Sequence, residues 1–489
     1  MFFFIFFIIL LITIVYYVRN SNKTPKDFGN IPYVSGLPTM WALIRQEPHD
    51  EVEKIMSKAS GGHELYLTRF GPFKQINVVS AETAKDLLMA SEDVAPKVEY
   101  HPGSVFHSFF GKGLPFSNGD VWRTYRKLAT PAFNSAVNPD MVAKTNMDLF
   151  AYMDKNLHRP IEIFTLFQRI TIEILGKMAF GYQFGCLKSS ETPHIIKVYK
   201  RVITFVQSPI RILFPFINQL PLESNRKFYA DLKEFDDFMF DIIETRKDEM
   251  KNKINNKFSN RDDLLSKILE YAEQERIYTD TKQLRDELVN NFVAGHDTTS
   301  LALTTSLYYL ARYPEMQERA RSEVISIMGD KLILPTSEHL KELKYLNAII
   351  RESLRVHPPS TVLNFRTPTK PLKVGSYVVP KDTWCITNVW QIQHDPKYWD
   401  DPYRYDPDRF LSGEKKHPYS WIPFSAGHRG CIGQNFSIME QRVTLSMFLL
   451  KYEWTLPKDS IHKEKMILKS QFLLRPDNVE LIFTERKQN

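Results

Sequence analysis

The sequence predicts a mainly α fold with a smaller β-rich region, preceded by one apolar N-terminal anchor. Three observations predict it. Helical periodicity dominates residues 140–311 and returns after residue 346, while strand-like runs are confined to residues 64–79 and 360–395. No Gly/Ser-rich or Pro-rich linker divides residues 40–489, so this stretch of the 489-residue chain reads as one large unit. A ten-residue loop, Phe424 to Gly433, places Cys431 two residues after Arg429 and just before an apolar helical run.

The composition, 43% hydrophobic and 25% charged, is that of an ordinary globular protein. The net charge of +7 is evenly spread, which argues against nucleic acid and suits an acidic protein partner or an anionic membrane surface. Cys186, Cys385 and Cys431 make neither a disulfide framework nor a paired zinc motif, so a reducing compartment is the simpler inference.

Residues 2–18 carry no charge. As a helix they span roughly 26 Å, near the ~27 Å hydrocarbon core of the endoplasmic reticulum membrane. Tyr16 and Tyr17 sit where an aromatic belt would lie, and Arg19, Lys23 and Lys26 follow. Positive charge on that side orients the body to the cytosol. A cleaved signal peptide would need a basic start and a small-residue cleavage site, which this stretch lacks. The expected organisation is an anchor over 1–18, a proline-containing linker over 19–40 and a catalytic unit over 41–489.

Short β-like runs over 64–70 and 75–79 lead to a helix with Ser80 as its N-cap. Residues 103–119 read as a loop carrying Phe106, Phe109, Phe110 and Phe116. In the helix that follows, Trp122 and Arg126 lie one turn apart on one face, which taken alone describes an arginine packed over a tryptophan. Residues 202–222 are too apolar for an open loop and too proline-rich for a regular helix. A buried irregular segment and a membrane-dipping one both fit. The charged run 246–261 reads as a solvated loop.

Residues 286–311 carry the longest helical pattern, with Ala294-Gly-His-Asp-Thr-Thr299 at its centre. A glycine, an acid and two threonines are costly in an apolar helix, and local rules fail in this way at functional sites. A threonine hydroxyl bonded one turn back would open a groove beside Gly295. In the next helix, Glu352 and Arg355 are spaced to pair. Cys431 itself admits three readings: a structural thiol, a nucleophile using His428, or a metal ligand held at a helix N-terminus.

The loop Phe424-x-x-Gly427-x-Arg429-x-Cys431-x-Gly433 resembles the cysteine loop of the cytochrome P450 family of haem-thiolate monooxygenases. Trp122-x-x-x-Arg126, the Ala294–Thr299 block, Glu352-x-x-Arg355 and Pro407-Asp-Arg409-Phe410 match further family motifs in family order, so the resemblance covers essentially the whole chain. It implies the cytochrome P450 fold, a helical prism with a smaller β-rich region. It implies haem b, bound non-covalently because Ala294 stands where some fatty-acid hydroxylases carry a haem-linked glutamate. By this resemblance Cys431 is the iron ligand. Trp122, Arg126, Arg366, Phe424, Arg429 and Gly433 contact the haem, and Thr298 and Asp297 bind and protonate dioxygen. Glu352, Arg355 and Arg409 form a structural triad. Phe292, Ala294, Val362, Leu363 and Phe472 are pocket positions.

The resemblance further implies a small, hydrophobic, lipid-like substrate and electrons from NADPH through cytochrome P450 reductase, with a cytochrome b-type protein as a second donor. Arg123 and Lys127 are candidate reductase contacts. The expected location is the endoplasmic reticulum membrane, single-pass, with the catalytic domain cytosolic. Two rivals are a haem-thiolate isomerase or dehydratase, which would not need Asp297 and Thr298, and a non-catalytic haem-binding protein. Neither the substrate nor its selectivity is readable in the sequence.

Overall fold

In the computed structural model the described residues are 26–487, apart from 46, 71–72, 136, 189–190, 209–210, 212–214, 254–261, 364 and 470–472. The expected anchor over 1–18 and the pocket position Phe472 lie outside them. Among the described residues no helix is long and apolar enough to cross a membrane. Two units are distinguishable: residues up to Val98 with Thr361–Pro402 and Lys416–Gly430, and the remainder.

The first unit is built on a four-stranded sheet in the order Tyr33–Val34, Leu65–Phe70, Phe73–Val78, Trp384–Thr387. The central pair is antiparallel and sets Leu65 opposite Val78 and Leu67 opposite Ile76, while Trp384–Thr387 joins in parallel and sets Cys385 against Ile76. These side chains and those of the Ala81–Met89 helix form one apolar core. Ser80 caps that helix by accepting the N–H of Thr83. Phe28 and Ile31 are buried in the same core, and Tyr33–Val34 pairs with Leu67 and Thr68. The folded unit therefore begins before residue 41, and the latter part of the expected linker is packed structure. Residues 360–366, expected as a strand, make only isolated bridges among the described residues, Val362 to Asn388 and Arg366 to both Lys97 and Cys385.

The second unit is helical. Its longest helix among the described residues, Thr281–Arg312, starts at Asp280, whose carboxylate accepts the N–H of Gln283. It packs against Ile163–Leu175, Glu223–Lys253, Lys344–Val356 and Gln434–Lys451. A three-stranded antiparallel sheet (Pro160–Glu162, Glu480–Glu485, Tyr452–Thr455) and the pair Leu468–Lys469 with Arg475–Pro476 complete it. The region read as a loop over 103–119 contains a helix, Val105–Phe110, capped by Ser104. Arg246 does not belong to a solvated loop: it lies on the helix Glu223–Lys253, is 4% exposed, and bonds to Asp263 and Ser266. Burial of a guanidinium is affordable here only because a carboxylate meets it.

Candidate active site

Cys431 lies just before the helix Gln434–Lys451, whose N-cap is Gly433. Its side chain is exposed, yet protein atoms surround it closely enough that burial pushes the thiol pKa up. The N–H groups of Gly433 and Gln434 and the Arg126 guanidinium pull the other way. Arg126 itself is held down by burial and raised by the facing cysteine. The expected stabilisation by backbone N–H groups is present, but it does not outweigh desolvation. A bound cation would supply what is missing.

The three glycines of the loop are not equivalent. Gly427 has φ +71°, and a Cβ there would meet the Leu88 carbonyl oxygen at 2.9 Å, so side chains are excluded by conformation and by space. At Gly430 a Cβ would come within 3.1 Å of the Gly427 carbonyl oxygen. Gly433 has φ −85°, and an added Cβ would stand 3.9 Å from Phe133 and 4.0 Å from the Cys431 sulfur. Nothing in the described protein requires glycine at 433.

The helix Thr281–Arg312 runs unbroken through Ala294–Thr299. Thr298 Oγ1 donates to the Ala294 carbonyl at 2.7 Å, as its spacing predicted. Gly295 does not open a groove. It faces Leu175, whose methyl carbons would lie 2.9 and 3.1 Å from an added Cβ, so it serves close packing of two helices. Ala294 is exposed and Thr298 half-buried, while Val293, His296, Asp297 and Thr299 are buried.

Asp297 is 8% exposed. Gln168 Nε2 donates to Asp297 Oδ1 at 2.6 Å, and His296 Nε2 lies 3.3 Å from the same oxygen. Burial pushes the carboxyl up, but His296, Arg475 and Gln168 outweigh it and hold it at about 2. His296 Nδ1 faces the Phe292 carbonyl. Gln168 lies 129 residues away in sequence, and no local signal named it as a partner.

Of the expected pocket positions, Phe292 is corrected. It is 0% exposed and packed by Phe180, Phe184, Tyr199, Phe235 and His296, with ring centroids 4.8–6.2 Å away. A ring enclosed on all sides by the core presents no wall to a ligand. Val362 and Leu363 are half-buried in the first unit.

Glu352 and Arg355 are both 0% exposed, and Arg355 Nε and Nη2 donate to the two Glu352 oxygens at 2.7 and 2.8 Å. The Asp406 N–H adds a bond to Glu352 Oε1 at 2.9 Å, and Arg409 Nε stands 3.5 Å from it. Arg123 and Lys127 are exposed and pair with Asp120 and Glu275. Trp122 is half-buried against the helical core.

In the first unit Phe424 is half-buried, edge-on to Trp421 with ring centroids 6.3 Å apart. Arg366 is 2% exposed. Its terminal nitrogens reach the carbonyls of Ala90, Ala95 and Leu88 at 3.2–3.5 Å, and its Nε has no hydrogen-bond partner among the described residues. Arg429 Nη2 is 3.6 Å from Glu92. Lys97, absent from the sequence-derived set, joins this cluster. Burial first, and then the charges of Arg366 and Arg429, push its ammonium pKa far down, with Glu92 opposing. Arg366 and Arg429 face Glu92, and Lys97 beside them would regain its proton next to an added anion, so the cluster fits a group bearing carboxylates. In the second unit the exposed Cys431 thiol with Arg126 beside it fits a thiolate-bound metal. The residues present therefore suit haem.

These features define a haem-thiolate protein, and the comparisons agree. The model for the family Cytochrome P450 matches residues 31–483, and the chain belongs to that family. Cytochrome P450 4c21 of Blattella germanica is 30% identical over 93% of this chain and 94% of its own. The cytokinin hydroxylase of Arabidopsis thaliana is 29% identical over 86% of this chain and 82% of its own. The cytochrome P450DA heme domain shares the fold, with a TM-score of 0.78 at 19% identity over 94% of this chain and 97% of that one. The fold is thus the mainly helical cytochrome P450 fold with small sheets. The chain is a cytochrome P450 monooxygenase that uses haem b, with dioxygen as co-substrate.

Proposed function

We propose that this monooxygenase inserts one oxygen atom into a small, lipid-like substrate at the endoplasmic reticulum membrane, with electrons from NADPH through cytochrome P450 reductase. Haem, when bound, supplies the chemistry of dioxygen reduction and C–H oxidation. The chain's own residues do the rest. Cys431 ligates the iron as thiolate, and Gly433 N–H, Gln434 N–H and Arg126 lower the cost of its charge. Arg126, Arg366 and Arg429, with Trp122, hold the propionates, and Phe424 and Gly433 line the face beside the sulfur. Glu352, Arg355 and Arg409 brace the core behind the loop.

The observation that carries the reading is the acid–threonine pair on an otherwise buried helix. Thr298 presents a hydroxyl on the same helical face as exposed Ala294, and Asp297 is an ionised acid one residue away. The hydroxyl orients the oxygen atom that will accept protons, and the carboxylate draws protons from behind the helix. Neither group is needed for carrying haem or for rearranging a substrate without dioxygen. A lipid-like substrate is supported by Phe216, Leu220, Leu222 and Tyr229, all exposed around a proline-rich segment. The charge-free residues 2–18 support the anchor and the cytosolic orientation. Arg123 and Lys127 are exposed and suit an acidic reductase.

The test is the coupling of reductase-driven NADPH oxidation to product in Thr298→Ala. Loss of coupling with an unchanged reduced carbon-monoxide spectrum supports the role, whereas full coupling overturns it. Cys431→Ala must abolish the thiolate-type spectrum.

A further inference from the structure

A cavity of 670 Å³ opens in the helical unit beside the helices Ile163–Leu175 and His194–Val206 and the strand Arg475–Pro476. Its size is that of a small-molecule site. Ile161, Phe164 and Ile203 supply apolar wall. Three cations face it: Arg169, Lys200 and Arg475.

Their partners differ. Arg169 is committed to the Cys186 carbonyl and the Tyr152 hydroxyl. The single lining carboxylate, Glu162, caps its own helix by accepting the N–H groups of Phe164 and Thr165 at 2.9 and 2.7 Å. The side chains of Lys200 and Arg475 make no hydrogen bond or close ion pair among the described residues, and the Arg475 guanidinium lies 6.0 Å from the centre of the Phe164 ring. Burial, and then the charge of Arg475, lower the Lys200 pKa, with Asp297, Cys186 and Glu162 opposing. The cavity also reaches the site: Gln168 lines it and donates to Asp297.

We propose that this cavity is an effector site for a small organic oxyanion, a carboxylate or a phosphate ester, whose anionic end lies between Lys200 and Arg475 and whose apolar body lies against Phe164 and Ile203. Asp297 and Glu162 act on these cations only through space, so neither cation is held by a direct carboxylate contact, and an oxyanion between them would supply one. A guanidinium suits the planar or tetrahedral oxygen set of either ligand. Arg475 is one of the charges that keep Asp297 ionised, so an anion bound to it eases the acid toward giving up its proton-poor state.

The experiment is calorimetric titration of the full-length, haem-loaded protein in neutral phospholipid nanodiscs with benzoate and, separately, phenyl phosphate. The haem absorption spectrum is followed in parallel. Expected is one equivalent of at least one anion bound without a spectral change, weakened about tenfold or more by Lys200→Ala and by Arg475→Ala, and partly retained in Arg475→Lys. Whichever anion binds more tightly identifies the carboxylate or the phosphate as the recognised group. Absence of binding by both anions, equal binding in wild type and both alanine variants, or binding that always shifts the haem spectrum would overturn the proposal. Retention in Arg475→Lys separates loss of charge from loss of fold.

Discussion

Replacing Glu352 by glutamine should strip this enzyme of several kcal/mol of stability without touching substrate, haem or solvent. The carboxylate is 0% exposed and accepts from Arg355 at 2.7 and 2.8 Å and from the Asp406 N–H at 2.9 Å, with Arg409 3.5 Å away. Glutamine keeps the shape and one acceptor oxygen but leaves the Arg355 charge buried without its counter-ion. Removing one partner of such a pair costs about 3–5 kcal/mol. Unfolding entropy near 2.1 cal/mol/K per residue, taken over 489 residues, is about 1 kcal/mol/K, so the melting temperature should fall by about 3–5 °C. The assay is thermal loss of the thiolate-type carbon-monoxide spectrum. Lys144→Ala is the control, since it breaks the exposed Lys144–Asp140 pair (2.7 Å) and should shift the midpoint by less than about 0.5 °C. If Glu352→Gln moved the midpoint no further than this control, the claim that the buried pair braces the core would be wrong.

The glycines of the cysteine loop should separate cleanly. Gly427→Ala must adopt φ +71° and push against the Leu88 carbonyl, so the yield of spectrally intact enzyme should collapse, whereas apo-protein of Gly433→Ala should match wild type in circular dichroism and melting. Glu287 is held by the Leu114 N–H and Gln283, and burial pushes its carboxyl up to about 8 against an ordinary value of 4.5. Between those values the folded state keeps a proton that the unfolded chain has lost, so this group makes stability fall as pH rises from about 4.5 to about 8. Glu287→Gln should flatten that slope in denaturant melts. Reversing the packing at Gly295 is a further check: Gly295→Ala should destabilise, and adding Leu175→Ala should recover part of the loss, read as a coupling energy in a double-mutant cycle.

Much of this molecule was legible in one dimension. The strands over 65–78, the cap at Ser80, the helices bearing Trp122, Asp297 and Glu352, and the helix behind Cys431 all follow from periodicity and capping chemistry, which act over a few residues. The Glu352–Arg355 pair needed only a spacing of three on a helix. Harder features failed for identifiable reasons. Phe292 looked like a pocket wall because it neighbours the acid–threonine block, yet four aromatic side chains and His296 close over it. Arg246 looked like part of a charged loop because its carboxylate partner, Asp263, lies beyond the lysine run.

What the sequence by itself determined is the class of enzyme: an ordered set of short motifs, each carrying its own chemistry. What only the tertiary structure decided is the electrostatic state of those motifs. Asp297 stays ionised against its burial because Arg475 and Gln168, far from it in the chain, add to its neighbour His296, and Lys97 loses much of its hold on a proton because burial and then Arg366 and Arg429 act on it. Motif chemistry depends on neighbours along the chain, whereas burial and charge pairing depend on which distant elements the fold brings against them.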